Sequence, residues 1–140
     1  MNPSLAQLLA SIPATLNTPL PPEAAGAFAA SRNGMVATLM VLAAQEAESG
    51  VAVRVWENQA IFDLLQAAAT RYPATMPPPA ETPPNLTLSQ LDAVNANLRR
   101  QLIVLHIAVE AAGDKPTDHE VLQLYREMAR MRRLTMPGAG

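Results

Sequence analysis

The 140-residue sequence has no cysteine, one lysine (Lys115), and only one Trp, two Tyr and two Phe. Without cysteine there can be no disulfide scaffold, thiol nucleophile or thiolate zinc site, although the redox compartment is left open. The apolar half of the chain is mostly Ala, Leu, Val and Met, so aromatic and β-branched strand formers are scarce and helix is favoured. No glycine-rich phosphate loop, nucleophile elbow, HExxH or EF-hand loop occurs. The chain also lacks an internal repeat.

Charge of either sign is sparse, at 16% of residues with a formal net charge of -2. A general nucleic-acid binder usually carries a basic footprint, so nucleic acid is not expected as a partner. The longest apolar stretches, Gly34 to Ala44 and Leu102 to Val109, fall short of the roughly 20 residues of a membrane span, and no membrane partner is expected. The first twenty residues hold no Lys or Arg and are interrupted by Pro3, Pro13 and Pro19, which argues against a secretory signal. A cytoplasmic protein is expected. Abundant Ala, with Arg exceeding Lys nine to one, resembles the coding bias of a GC-rich bacterial genome.

A chain of this length can build a core without disulfides or metals, and one helical domain over 1–140 is expected. Asn2 and Pro3 suit a helix start, and Leu5, Leu8, Leu9 and Ile12 share one face of a short helix over 4–12. Prolines then make 13–22 a connector. A long helix follows from Pro22 to about Glu48, with Phe28, Met35, Leu39 and Leu42 on one face. Gly26 and Gly34 weaken it by about 1 kcal/mol each relative to Ala, or permit a close helix crossing.

Ser49 and Gly50 offer a break before a second apolar segment, Val51 to Tyr72, although Gly50 can equally kink one continuous helix. Six prolines from Pro73 to Pro84 make 73–86 a stiff connector, read as a strap along a bundle in preference to an exposed ligand. Thr87 with Gln90, and Ser89 with Asp92, are overlapping capping boxes that open a helix ending at Gly113. Thr117 with Glu120 opens a last helix over 118–134, followed by a tail at 135–140. The resulting fold class is all-α: a four-helix bundle with a short extra N-terminal helix and a long proline-rich crossover.

The most regular pattern is Leu88, Leu91, Asn95, Leu98, Leu102, Leu105 and Val109, an alternating three- and four-residue spacing that makes a packed seam. It serves either a homodimer, with Asn95 paired to its symmetry mate, or the protein's own core, with Asn95 bonded internally. Ile103 and Ile107 lie outside it and widen the apolar surface. His106 and Glu110, one turn apart, can reach one ligand or metal, with Glu46, Glu57 and Asp63 as further carboxylates. The paired Glu-x-x-His motifs of carboxylate-bridged metal bundles are missing, and a structural ion pair is the commoner role.

Arg32, Glu46, Arg54 and Glu57 fall near apolar faces, where charges are seldom left unpaired; they pair across helices as a structural device or, less commonly, form a catalytic pair. Arg126, Arg130, Arg132 and Arg133 complement the dipole of the last helix or offer an anion site. Without a convergent polar constellation, the leading expectation is a non-enzymatic interaction module that self-associates or takes a helical protein partner, with no cofactor. The alternative is a small ligand- or metal-binding bundle built on His106 and nearby carboxylates, with enzymatic activity open.

Overall fold

A computed structural model describes residues 5–17, 19, 22, 25–75 and 87–136. Their regular structure is α-helical apart from short 3₁₀ pieces. The helices are α1 (Leu5–Asn17), α2 (Ala25–Ala68), α3 (Leu88–Ala112) and α4 (Lys115–Met131), with a 3₁₀ turn at Pro73–Thr75. The chain divides into two compact units, residues 1–50 with 134–140, and residues 51–133. The division falls within α2, between Gly50 and Val51.

In the first unit, α1 runs five residues beyond its expected end. It passes through Pro13, so the connector begins after Asn17 instead of at residue 13. Proline removes only one backbone donor, and the neighbouring turns add side-chain bonds of their own. Ser11 Oγ donates to Leu8 O at 2.7 Å and Thr15 Oγ1 to Ser11 O at 2.8 Å. Arg32 Nη1 donates to Leu16 O at 3.2 Å and ties α2 to the end of α1. Thr135, the first residue of the expected tail, is held by the Gln45 amide. Gln45 Nε2 donates to Thr135 O at 2.9 Å, and Thr135 N donates to Gln45 Oε1 at 2.8 Å.

The break at Ser49 and Gly50 does not occur, so the two helices expected on either side are the single 44-residue α2. Gly50 keeps helical geometry, since the only described glycine with positive φ is Gly113. Ser49 Oγ donates back to Gln45 O at 2.9 Å, within the helix. A glycine costs about 1 kcal/mol in a helix, too little on its own to stop one that continues for many residues on both sides.

The second unit has its core where Val51–Ala68 of α2 meets α3 and α4. Ile61, Leu65 and Ala68 pack with Leu98, Leu102, Leu105 and Val109 of α3 and with Val121 and Met128 of α4. Thr87 caps α3, its hydroxyl accepting from Gln90 N at 3.4 Å. At the other end Gly113, at φ 65°, lets its own N–H reach Glu110 O while Asp114 N reaches Val109 O, a Schellman closure.

The start of α4 differs from expectation. It begins at Lys115 with Asp114 as its cap, because proline is tolerated in a first turn and Asp caps at least as well as Thr. Thr117 therefore lies inside the helix, bonded to Asp114 through both its N and its Oγ1. The proline connector beyond Thr75, and the tail beyond Met136, lie outside the described residues.

Candidate functional site

The seam on α3 is occupied by the chain itself. Leu91, Asn95, Leu98, Leu102, Leu105 and Val109 are all buried, and Leu88 is half-buried at the start of the helix. Heptad spacing accounts for the burial, since all seven positions fall on the side of α3 that meets the core. What α3 leaves exposed is the opposite side, with Ile103, Val104 and Ile107.

Within that apolar seam lies a charged cluster centred on Glu57, which has no exposed surface. Glu57 Oε1 accepts from Arg99 Nε at 2.9 Å and from Asn95 Nδ2 at 3.0 Å. Its Oε2 accepts from Arg132 Nε. Asn95 closes the network, accepting from Arg132 Nη2 at 3.2 Å and donating to Asn58 Oδ1 at 2.8 Å. One turn away, Arg54 Nε donates to Asp92 Oδ1 at 2.8 Å, and Asn58 Nδ2 donates to Leu91 O. Arg54 and Glu57 thus pair across helices, and Asn95 is bonded within the chain. With two guanidiniums and one amide on a single carboxylate, both oxygens of Glu57 are hydrogen-bonded. The arrangement is suited to holding three segments in register, as buried polar groups do when fully satisfied.

A second cluster lies on the α3 and α4 surfaces. His106 Nε2 is 3.3 Å from Asp118 Oδ1 and 3.8 Å from Glu110 Oε1. The ring is set by Tyr125, whose centroid is 5.6 Å away at an interplanar angle of 57°. Burial raises the pKa of the Tyr125 phenol, partly offset by the Arg99 charge. The pairing of His106 with Glu110 follows from their one-turn spacing. Asp118 was legible only as a first-turn residue of α4, and the fold brings it to the imidazole. The other carboxylates considered for this site are elsewhere: Glu57 is in the arginine network, exposed Asp63 accepts from Gln59 Nε2, and Glu46 is buried on the first unit's part of α2.

Asp114 organises the turn between α3 and α4. Besides Thr117, it accepts from Tyr72 Oη at 3.0 Å and Arg71 Nη1 at 2.8 Å. The Thr117 hydroxyl bond is the main cause of its lowered pKa, opposed by desolvation and reinforced by Tyr72 and Arg71. The Tyr72 phenol is pushed up, chiefly by desolvation and then by its bond to Asp114.

The basic residues of the last helix have separate roles. Arg132 enters the Glu57 network, and Arg130 pairs with Glu127 at 2.9 Å on the surface.

In the first unit Leu8 and Ala43 are buried, but many of the large apolar side chains are exposed. Leu9, Leu16, Phe28, Met35, Met40 and Val41 keep between 42% and 59% of their surface in solvent. Leu39 and Leu42 are half-buried. Nothing in the described structure lies within 4 Å of a Cβ built on Gly26 or Gly34. Over an 18-residue window α2 is also apolar enough to cross a membrane by length and composition, with 6% of that window buried. The sequence-level expectation of no span rested on uninterrupted apolar runs, whereas this window tolerates scattered Ser, Asn and Arg.

Comparison with protein-family models, with curated proteins and with solved structures finds no match to the chain.

Proposed function

We propose that the protein is a non-enzymatic helical interaction module that self-associates through the α1 and α2 surface of its first unit. The observation that carries this is the accessible apolar surface around the first half of α2. A helix that is apolar on all sides is normally buried in a core or a membrane. Phe28, Met35, Met40 and Val41 are instead open to solvent. Between Ala25 and Gln45 the only charge is Arg32, so two copies meeting there bring little like-charge repulsion. Gly26, Ala30 and Gly34 recur every fourth residue, and small residues at that spacing let helix backbones approach closely.

The Leu88 to Val109 seam serves, in this view, as the core of a rigid second unit, and association uses surfaces that remain accessible. The four-helix-bundle layout with a proline strap is likewise part of the proposal: the strap carries the chain from the end of α2 to the start of α3. A cytoplasmic bacterial setting is consistent with the composition.

A second reading is favoured by the apolar window of α2, which a lipid bilayer would also cover. Native mass spectrometry of the full chain, with flotation on neutral phosphatidylcholine vesicles, separates the two. A dimer or higher oligomer that stays off the vesicles supports self-association. Vesicle-bound protein supports the lipid reading, and a monomer that ignores vesicles overturns both.

A further inference from the structure

We infer that His106, Glu110 and Asp118 form a binding site for a divalent transition-metal ion of the zinc class, joining α3 to the first turn of α4. The three groups offer one imidazole nitrogen and two carboxylate oxygens, all within 4.8 Å of one another. A tetrahedral ion with bonds of about 2.0–2.2 Å holds its donor atoms about 3.3–3.6 Å apart. The 3.3 Å from His106 Nε2 to Asp118 Oδ1 already matches that edge, whereas Glu110 must move in, by a few tenths of an ångström from its 3.8 Å to His106 and by more where its separation from Asp118 approaches the 4.8 Å spread of the cluster.

The three groups differ in freedom in a way that suits such closure. His106 and Asp118 side chains are about one-fifth exposed, and the imidazole is steadied by Tyr125. Glu110 is largely exposed and free to swing inward. Three protein donors leave a fourth position for water or another ligand. Imidazole with carboxylates suits zinc and its neighbours better than magnesium or calcium, which prefer all-oxygen shells. The site stands independently of self-association, since it uses different helix surfaces from those of the first unit.

The test is isothermal titration of the untagged full chain with Zn²⁺ alone, alongside His106→Ala, Asp118→Asn and, as control, His119→Ala. His119 is exposed on α4, next in sequence to Asp118, and is outside the cluster. The expected result is one saturable Zn²⁺ per chain, weakened more than about 10-fold by either cluster substitution and unchanged by the control. Circular dichroism shows whether each variant is folded. Co²⁺ added to the wild-type protein gives a reading that needs no variant: the ring resonances of His106 and Tyr125 shift or broaden before those of His119. Absence of saturable Zn²⁺ binding, binding that survives His106→Ala, or a His106 ring untouched by Co²⁺ would each overturn the assignment.

Discussion

Arg132, just past the end of α4, donates its Nε hydrogen to Oε2 of Glu57, 75 residues earlier in the chain. Glu57 is fully buried, so its charge depends on Arg132, Arg99 and Asn95 for what water would otherwise supply. Removing one member of a buried pair strands its partner, at a cost of about 3–5 kcal/mol. Glu57→Ala is therefore expected to destabilise the second unit by about that amount. Arg99→Ala should cost less than Glu57→Ala, because Arg132 and Asn95 still hold the carboxylate and the Arg99 side chain is 41% exposed. Urea unfolding followed by the fluorescence of Trp56, which packs against the core, measures both. Equal costs for the two substitutions would mean that burial does not set the strength of these pairs.

The seam and the outer face of α3 should respond oppositely to truncation. Leu102 and Leu105 have no exposed surface, and Leu→Ala at either is expected to cost about 2–5 kcal/mol. Ile107 is 61% exposed, and Ile107→Ala should change stability by no more than about 0.5 kcal/mol. A large, concentration-dependent loss on Ile107→Ala would instead reveal a second association surface on α3.

Gly113 has a φ of 65°, where a side chain meets the following carbonyl oxygen. No neighbour lies within 4 Å of an added Cβ, so the cost of Gly113→Ala is one of backbone conformation alone. About 1–2 kcal/mol is expected in the same unfolding experiment. A neutral result would contradict the Schellman closure.

The depressed pKa of Asp114 has a definite consequence for pH. Its folded-state value lies below its unfolded one, so its stabilising contribution is complete above the unfolded value and disappears as pH falls through the folded value. Asp114→Asn should therefore flatten the acid limb of the stability profile below the ordinary Asp range, where wild type loses stability. Thermal melts across that range measure it. An unchanged acid limb in the variant would assign the loss to other carboxylates.

What was legible in the sequence was local. The seven-residue seam follows from spacing alone, and the ends of α3 follow from Thr87 and Gly113 because capping chemistry lies within one turn. Pro13 misled, and Gly50 left two readings open, for the converse reason: their local penalties are real, but the helices continue through both positions. The partners of Glu57 were not legible, because Arg132 is far along the chain and reads as one of several basic residues at a helix end. Asp118 likewise reads as a first-turn acid until the turn at Gly113 folds α4 back beside His106. The all-helical class needed only composition and periodicity, whereas the charged network and the imidazole cluster needed the chain path.

Self-association through the first half of α2 is tested most directly by sedimentation equilibrium over a wide concentration range, comparing wild type with Gly34→Leu and Met35→Glu. Neither residue belongs to the second unit's core, and the bulk at one and the charge at the other fall on the accessible surface of α2. The expected result is an oligomeric wild type, and variants that retain their helical circular dichroism while dissociating to monomers. A wild-type protein that sediments as a monomer at every concentration, or variants that associate as strongly as wild type, would contradict it.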